Sequence, residues 1–134
     1  MTSMQRKQKS ADGEPRAVSA VLREVESGRI VIADLEIAEG LIRSGRGLLG
    51  RSSMNTGAGL VLPSCNSIHT VGMQFRIDVL FLNREGKALK VASDVAPWRV
   101  RGPVIGAKWV VETPAGDLFQ QGVKVGRHYE VVRS

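Results

Sequence analysis

Ile77-Asp78-Val79-Leu80-Phe81-Leu82-Asn83-Arg84-Glu85-Gly86-Lys87 is the stretch that decides the fold class. Val79 to Leu82 is an unbroken apolar run bounded by polar residues. Such a run is short for a helix and suits a strand covered on both faces. Asn83-Arg84-Glu85-Gly86 carries turn residues and leads into Lys87–Ala92, so residues 77–92 read as a hairpin.

Working outward, the same pattern recurs. Ala20–Val25 and Ile30–Ile37 flank Glu26-Ser27-Gly28-Arg29, a turn in which Gly28 supplies a positive φ. In the second run, Val31, Ala33, Leu35 and Ile37 alternate with polar Asp34 and Glu36, which places the apolar set on one face. Gly59–Leu62 and Lys108–Glu112 are two more short strands. Val123–Val132 is a last strand interrupted at Gly126. Thr113 is placed as an N-cap and Pro114 at N1 of a short helix over Ala115–Gln121, with Gly122 just past its end. Ala38–Arg46 has the apolar residues for one or two helical turns, although Gly40 and Gly45 weaken them. Many short strands with one or two short helices predict a mainly β single domain, either a sandwich or a distorted barrel.

The chain has 134 residues and one cysteine, Cys65, which bounds it to one domain and excludes a disulfide scaffold. No apolar run approaches the ~20 residues of a membrane span, so a membrane is not expected among its partners. Residues 1–16 are polar and are expected to be a disordered tail ahead of a domain over 17–134. They lack an apolar secretory region, which, with the unpaired cysteine, predicts a cytoplasmic location. Lys and Arg outnumber Asp and Glu by 19 to 13. That balance favours anionic contacts: acidic lipid, an acidic partner or nucleic acid. The charges are dispersed, which suits plain solubility, and an aromatic content of 4% leaves few stacking platforms, so nucleic acid stays a runner-up.

Gly45-Arg46-Gly47-Leu48-Leu49-Gly50 fits the dinucleotide fingerprint in letters only. The Ser/Asn/Gly-rich stretch after it cannot supply the helix, and no acid stands where a ribose would need one. Gly47-Leu48-Leu49-Gly50-Arg51, Cys65-Asn66-Ser67-Ile68-His69-Thr70-Val71-Gly72-Met73 and Ile77–Leu82 together resemble the domain-of-unknown-function family number 192. Glu112-Thr113-Pro114-Ala115-Gly116 and Gly122-Val123-Lys124-Val125-Gly126 are similar to that family's closing pattern. The resemblance covers residues 20–132 and implies a compact β-rich domain with no established activity. Arg127 stands where other branches often carry Asp.

Cys65, His69 and Met73, spaced by four, share one face of a strand, but a straight strand separates successive members by ~13 Å. Only a turn within 65–73 could join them as a soft-metal site, so no metal and no cofactor is expected. An enzyme reading makes Cys65 the nucleophile, His69 the base and Asp78 its orienting acid. The competing reading makes Asp78 an acceptor for backbone N–H groups of a neighbouring turn. Trp98 and Trp109 read as core, although Trp98 with Arg99 and Arg101 could border an anion pocket. The expected function is non-catalytic binding of a small or anionic ligand, in a monomer, by a cleft of His69, Thr70, Asp78, Arg99 and Arg101. A Cys/His hydrolase and a basic nucleic-acid-associated module are the alternatives.

Overall fold

A computed structural model describes residues 17–38 and 53–134 of the chain. The expected tail, the helical turns after Ala38 and the glycine-rich decoy lie largely or wholly outside the described residues. The fold is mainly β. In chain order the elements are β1 (Ala17–Glu24), β2 (Ile30–Ala38), β3 (Ala58–Pro63), β4 (Ile68–His69), β5 (Ile77–Asn83), β6 (Ala88–Val95), β7 (Val100–Arg101), β8 (Ala107–Pro114), α1 (Asp117–Gln120) and β9 (Tyr129–Arg133). Seven strands form one sheet in the order β6-β5-β8-β3-β2-β1-β9, and β4 with β7 forms a separate two-stranded ribbon. All pairings are antiparallel except β2 with β3.

The sheet curls until its two edges touch. Lys87 at the start of β6 bridges His128 at the start of β9. Flanking bonds run from Ala88 N–H to the Arg127 carbonyl at 2.8 Å and from Tyr129 N–H to the Gly86 carbonyl at 2.8 Å. The interior of this distorted barrel holds Leu22, Leu35, Val61, Leu80, Leu82, Val111 and Tyr129, with Leu118 of α1 closing one end.

Alternation then sends Leu60, Leu62, Val79, Phe81 and Val110 to the outer side of β3, β5 and β8, where they form a second core. Ile68, Met73 and Cys65 from residues 64–76, and Val104 from the segment after β7, pack down on it. These central strands therefore have no solvent face, and β5 is buried from Ile77 to Leu82, as the apolar run predicts.

Three local expectations are corrected. Thr113 and Pro114 belong to β8, because Asp78 pairs with Thr113 and Ile77 with Pro114 and the ladder continues through both. The helix begins later, behind Gly116 at φ 94°, and is one turn long. In β2 a register irregularity against β1 turns Ile32 inward and leaves Ala33 exposed. Of the expected last strand, only 129–133 pairs as one; residues 123–127 are loop around a turn at 125–126, and His128 makes only the bridge to Lys87.

Gly86 is the close-approach point of the closed barrel. It sits at φ 90°, and a Cβ there would lie 2.2 Å from the Tyr129 carbonyl oxygen. Gly86→Ala therefore combines left-handed strain with a backbone clash and should cost roughly 2–4 kcal/mol in urea unfolding. Gly57→Ala, where nothing stands within 4 Å of the added carbon, should cost about 1 kcal/mol.

Candidate functional site

The residues expected to form one cleft divide between the two faces of the sheet. Asp78 lies on the barrel side of β5 and is fully buried. Its Oδ1 accepts the Asp94 N–H at 2.8 Å, and its Oδ2 accepts those of Gly116 at 3.0 Å and Leu118 at 3.2 Å. A carboxylate from a strand thus serves the start of α1 in place of a local cap, since Gly116 has no side chain to do so. The backbone-acceptor role describes this geometry, and the carboxylate is not directed at His69.

The other four residues belong to the outer layer. Thr70 is fully buried and pins the segment after β6 to the ribbon. Its hydroxyl donates to the Ala96 carbonyl at 2.7 Å and accepts the Arg99 N–H at 2.8 Å, while its carbonyl accepts the Trp98 N–H at 2.9 Å. In the ribbon His69 pairs with Val100 and Ile68 with Arg101. Paired residues share a face, so His69 stands beside Val100 while Arg101 takes the side of buried Ile68. His69 Nδ1 accepts the Val71 N–H at 3.3 Å, which leaves Nε2 as the ring's donor.

Cys65 donates its thiol hydrogen to the Ser67 carbonyl at 3.0 Å and packs against the outer core. Among the described residues no hydrogen bond joins Cys65, His69 and Asp78, and each is engaged elsewhere. Nor do any three His, Cys, Asp or Glu side chains converge as a metal site among them.

Arg99 and Arg101 are the open groups. The Arg99 guanidinium donates to the Trp98 carbonyl at 3.2 Å and that of Arg101 to the Val100 carbonyl at 2.9 Å. Neither has an ion-pair partner among the described residues, in contrast to Arg76, which Asp94 holds at 2.6 Å. Two residues apart on an extended chain, Arg99 and Arg101 project to the same side. Trp98 is not core: it is 65% exposed, at φ 66°, on the loop that Thr70 anchors. Trp109 does pack against the barrel interior.

Glu112 is a feature that the sequence reading did not single out. Register places it on the outer face between Leu60 and Val79, fully buried, and among the described residues neither carboxylate oxygen has a hydrogen-bond partner. Burial pushes its carboxyl up to about 8, so it is a neutral acid at pH 7. The signal was present in the strand Lys108–Glu112: once that strand is covered on both faces, its acid is buried as well.

The sequence profile of the DUF192 family, described as "Uncharacterized ACR", matches residues 22–131. A UPF0127 protein of Thermococcus sibiricus is 34% identical over 105 residues, 74% of this chain and 66% of its own. Another from Thermococcus gammatolerans is 32% identical over 103 residues, 74% of this chain and 67% of its own. The chain thus spans about two thirds of the length of these relatives. A crystal structure of a protein of unknown function from Novosphingobium aromaticivorans superposes with TM-score 0.73 at 17% identity, covering 91% of this chain and 90% of that one. A protein described as a candidate transcription regulator of Sinorhizobium meliloti superposes with TM-score 0.69 at 18% identity, covering 88% and 95%. At these identities the two structures speak to the fold.

Two outcomes check the site's construction. Asp78→Ala strands three backbone donors at the closed end of the barrel and should cost roughly 3–5 kcal/mol in chemical denaturation. For Glu112, an unfolded carboxyl titrates near 4.5 and the folded one near 8. Across that window only the unfolded chain releases the proton, so stability falls as pH rises and levels off above it. Glu112→Gln should remove this fall, a difference on the order of 4 kcal/mol between pH 4.5 and 9. Parallel stability curves for the two proteins would refute the assignment.

Proposed function

The chain belongs to the DUF192 family, and on that premise we propose that it is a non-catalytic binding domain for an anionic group. The binding surface is the β4–β7 ribbon, and one observation carries the reading: among the described residues the two same-side guanidiniums of Arg99 and Arg101 have no carboxylate to neutralise them, their hydrogen bonds going to backbone carbonyls. A planar guanidinium presents a fork of N–H donors that matches a carboxylate or phosphate, and two forks on one extended segment suit a single anion. Arg99 and Arg101 are the contact residues and Thr70 positions them, because its hydroxyl fixes the backbone at Arg99. His69 offers Nε2 at the margin of the same ribbon. Asp78 supports the scaffold from the opposite face.

The barrel beneath supplies the rigidity such a site needs. Ile68 is embedded in the outer core, so the ribbon rests on central strands rather than on a free loop.

Isothermal titration with inorganic phosphate at low ionic strength tests the proposal. The wild-type chain should bind with a dissociation constant in the roughly millimolar range. Arg99→Gln with Arg101→Gln should weaken it about tenfold or more without changing the melting temperature. Equal heats from wild type and double variant would refute the ribbon as the anion site.

A further inference from the structure

We infer that the seam of the barrel holds a second binding site, a cavity for a free α-amino acid with a large apolar side chain. The site is separate from the β4–β7 ribbon and does not depend on the anion-binding reading above. The two sheet edges meet over a short length only, between 86–88 and 126–129. β9 then runs on to Arg133 as the edge strand of the sheet. Beside this part of the seam lies a cavity of about 180 Å³. It is at the end of β5 and β8 remote from α1: Asp78 pairs with Thr113 next to the helix, and Leu82 pairs with Trp109 four residues further along.

The walls are apolar. Leu82, Trp109 and Val131 line the cavity, and all three belong to the barrel side of the sheet. Leu82 is buried, whereas Trp109 and Val131 are half-buried and offer it their surface. A cavity of ~150 Å³ takes one benzene ring, so this one suits a single ring or a branched aliphatic chain.

The rim fixes the rest of the ligand. Arg84 and Glu85 of the β5–β6 turn line the same cavity, and neither side chain has an ion-pair or hydrogen-bond partner among the described residues. Glu130 also lines it but is held by Arg23. The Tyr129 hydroxyl is engaged with the Lys124 N–H at 3.0 Å and with Glu24 at 3.4 Å. The open charges are therefore one guanidinium and one carboxylate on consecutive residues. An α-amino acid carries the matching pair on a single carbon. Its carboxylate meets the Arg84 fork, its ammonium meets Glu85, and its side chain lies against the Trp109 indole. An aromatic acid without the amine would set its carboxylate beside Glu85 uncompensated, and an amine alone would do the same beside Arg84. A residue inside a peptide has neither charge.

Trp109 reports on the cavity directly, because in a Trp98→Phe background it is the chain's sole tryptophan. Titration with L-phenylalanine should change its fluorescence saturably, with a dissociation constant in the roughly millimolar range. 3-Phenylpropionate and phenethylamine, each lacking one charge, should bind about fivefold more weakly or worse. Arg84→Gln and Glu85→Gln should each weaken phenylalanine by a similar factor, while Lys90→Gln, outside the cavity, should leave it unchanged. Melting temperatures establish that the variants are folded. An unsaturable or absent response to phenylalanine would overturn the site. Equal binding of either analogue would overturn the amino-acid assignment in favour of a singly charged ligand. Full affinity in both Arg84→Gln and Glu85→Gln would overturn it by showing that the rim makes no contact.

Discussion

The three central strands β3, β8 and β5 have no side facing water, and the rest of the molecule follows from that. A curled sheet alone can bury only its concave face. Here Val61, Val111 and Leu80 serve the interior while Leu60, Val110 and Val79 need a second cover. Residues 64–76 and Val104 supply it by laying Ile68, Met73, Cys65 and Phe75 across the outside. At roughly 25 cal/mol per Å² of apolar surface removed from water, this layer is integral to the fold and not an ornament. β7 and the residues flanking it leave Trp98, Val100 and Ile105 exposed on the outside of this layer.

The two buried carboxylates show how sharply this arrangement discriminates between polar groups. Asp78 faces the barrel, where three backbone donors meet its oxygens. Glu112, one sheet face away and beside Val79, meets none. The first charge is compensated and organises α1. The second is neutralised by holding its proton, the cheaper response of a carboxyl to a dry site.

Much of this was legible in the residues. The apolar run 79–82, the turn at 83–86 and the alternation in β2 locate strands because strand geometry is written in short-range patterns. The barrel closure was not legible, because it rests on Lys87 meeting His128 across a distance no local pattern reports. Thr113 carries good capping chemistry, yet its pairing with Asp78 overrides that preference and extends β8. Residues 68–69 and 100–101 are too short to show any periodicity, so the ribbon was missed as an element while its Arg99 and Arg101 were noticed. Trp98 was misjudged for the opposite reason: an aromatic residue is assigned to the core by type, and this one stands exposed on a loop whose Trp98 N–H is held by the Thr70 carbonyl.

The strand order has a consequence for how the protein is made. β1 lies between β2 and β9, and Ala20 pairs with Arg133, so the first strand of the sheet is completed by a strand far along the sequence. Until then β1 has a bare edge, and Tyr129, which fills the interior and reaches Glu24 through its hydroxyl at 3.4 Å, is missing from the core. Most contacts that define the barrel are therefore long in sequence, a topology that folds slowly compared with locally wired helical domains. A nascent chain exposes both an unpaired strand edge and an open apolar interior during that interval. Those are the features that chaperones shield.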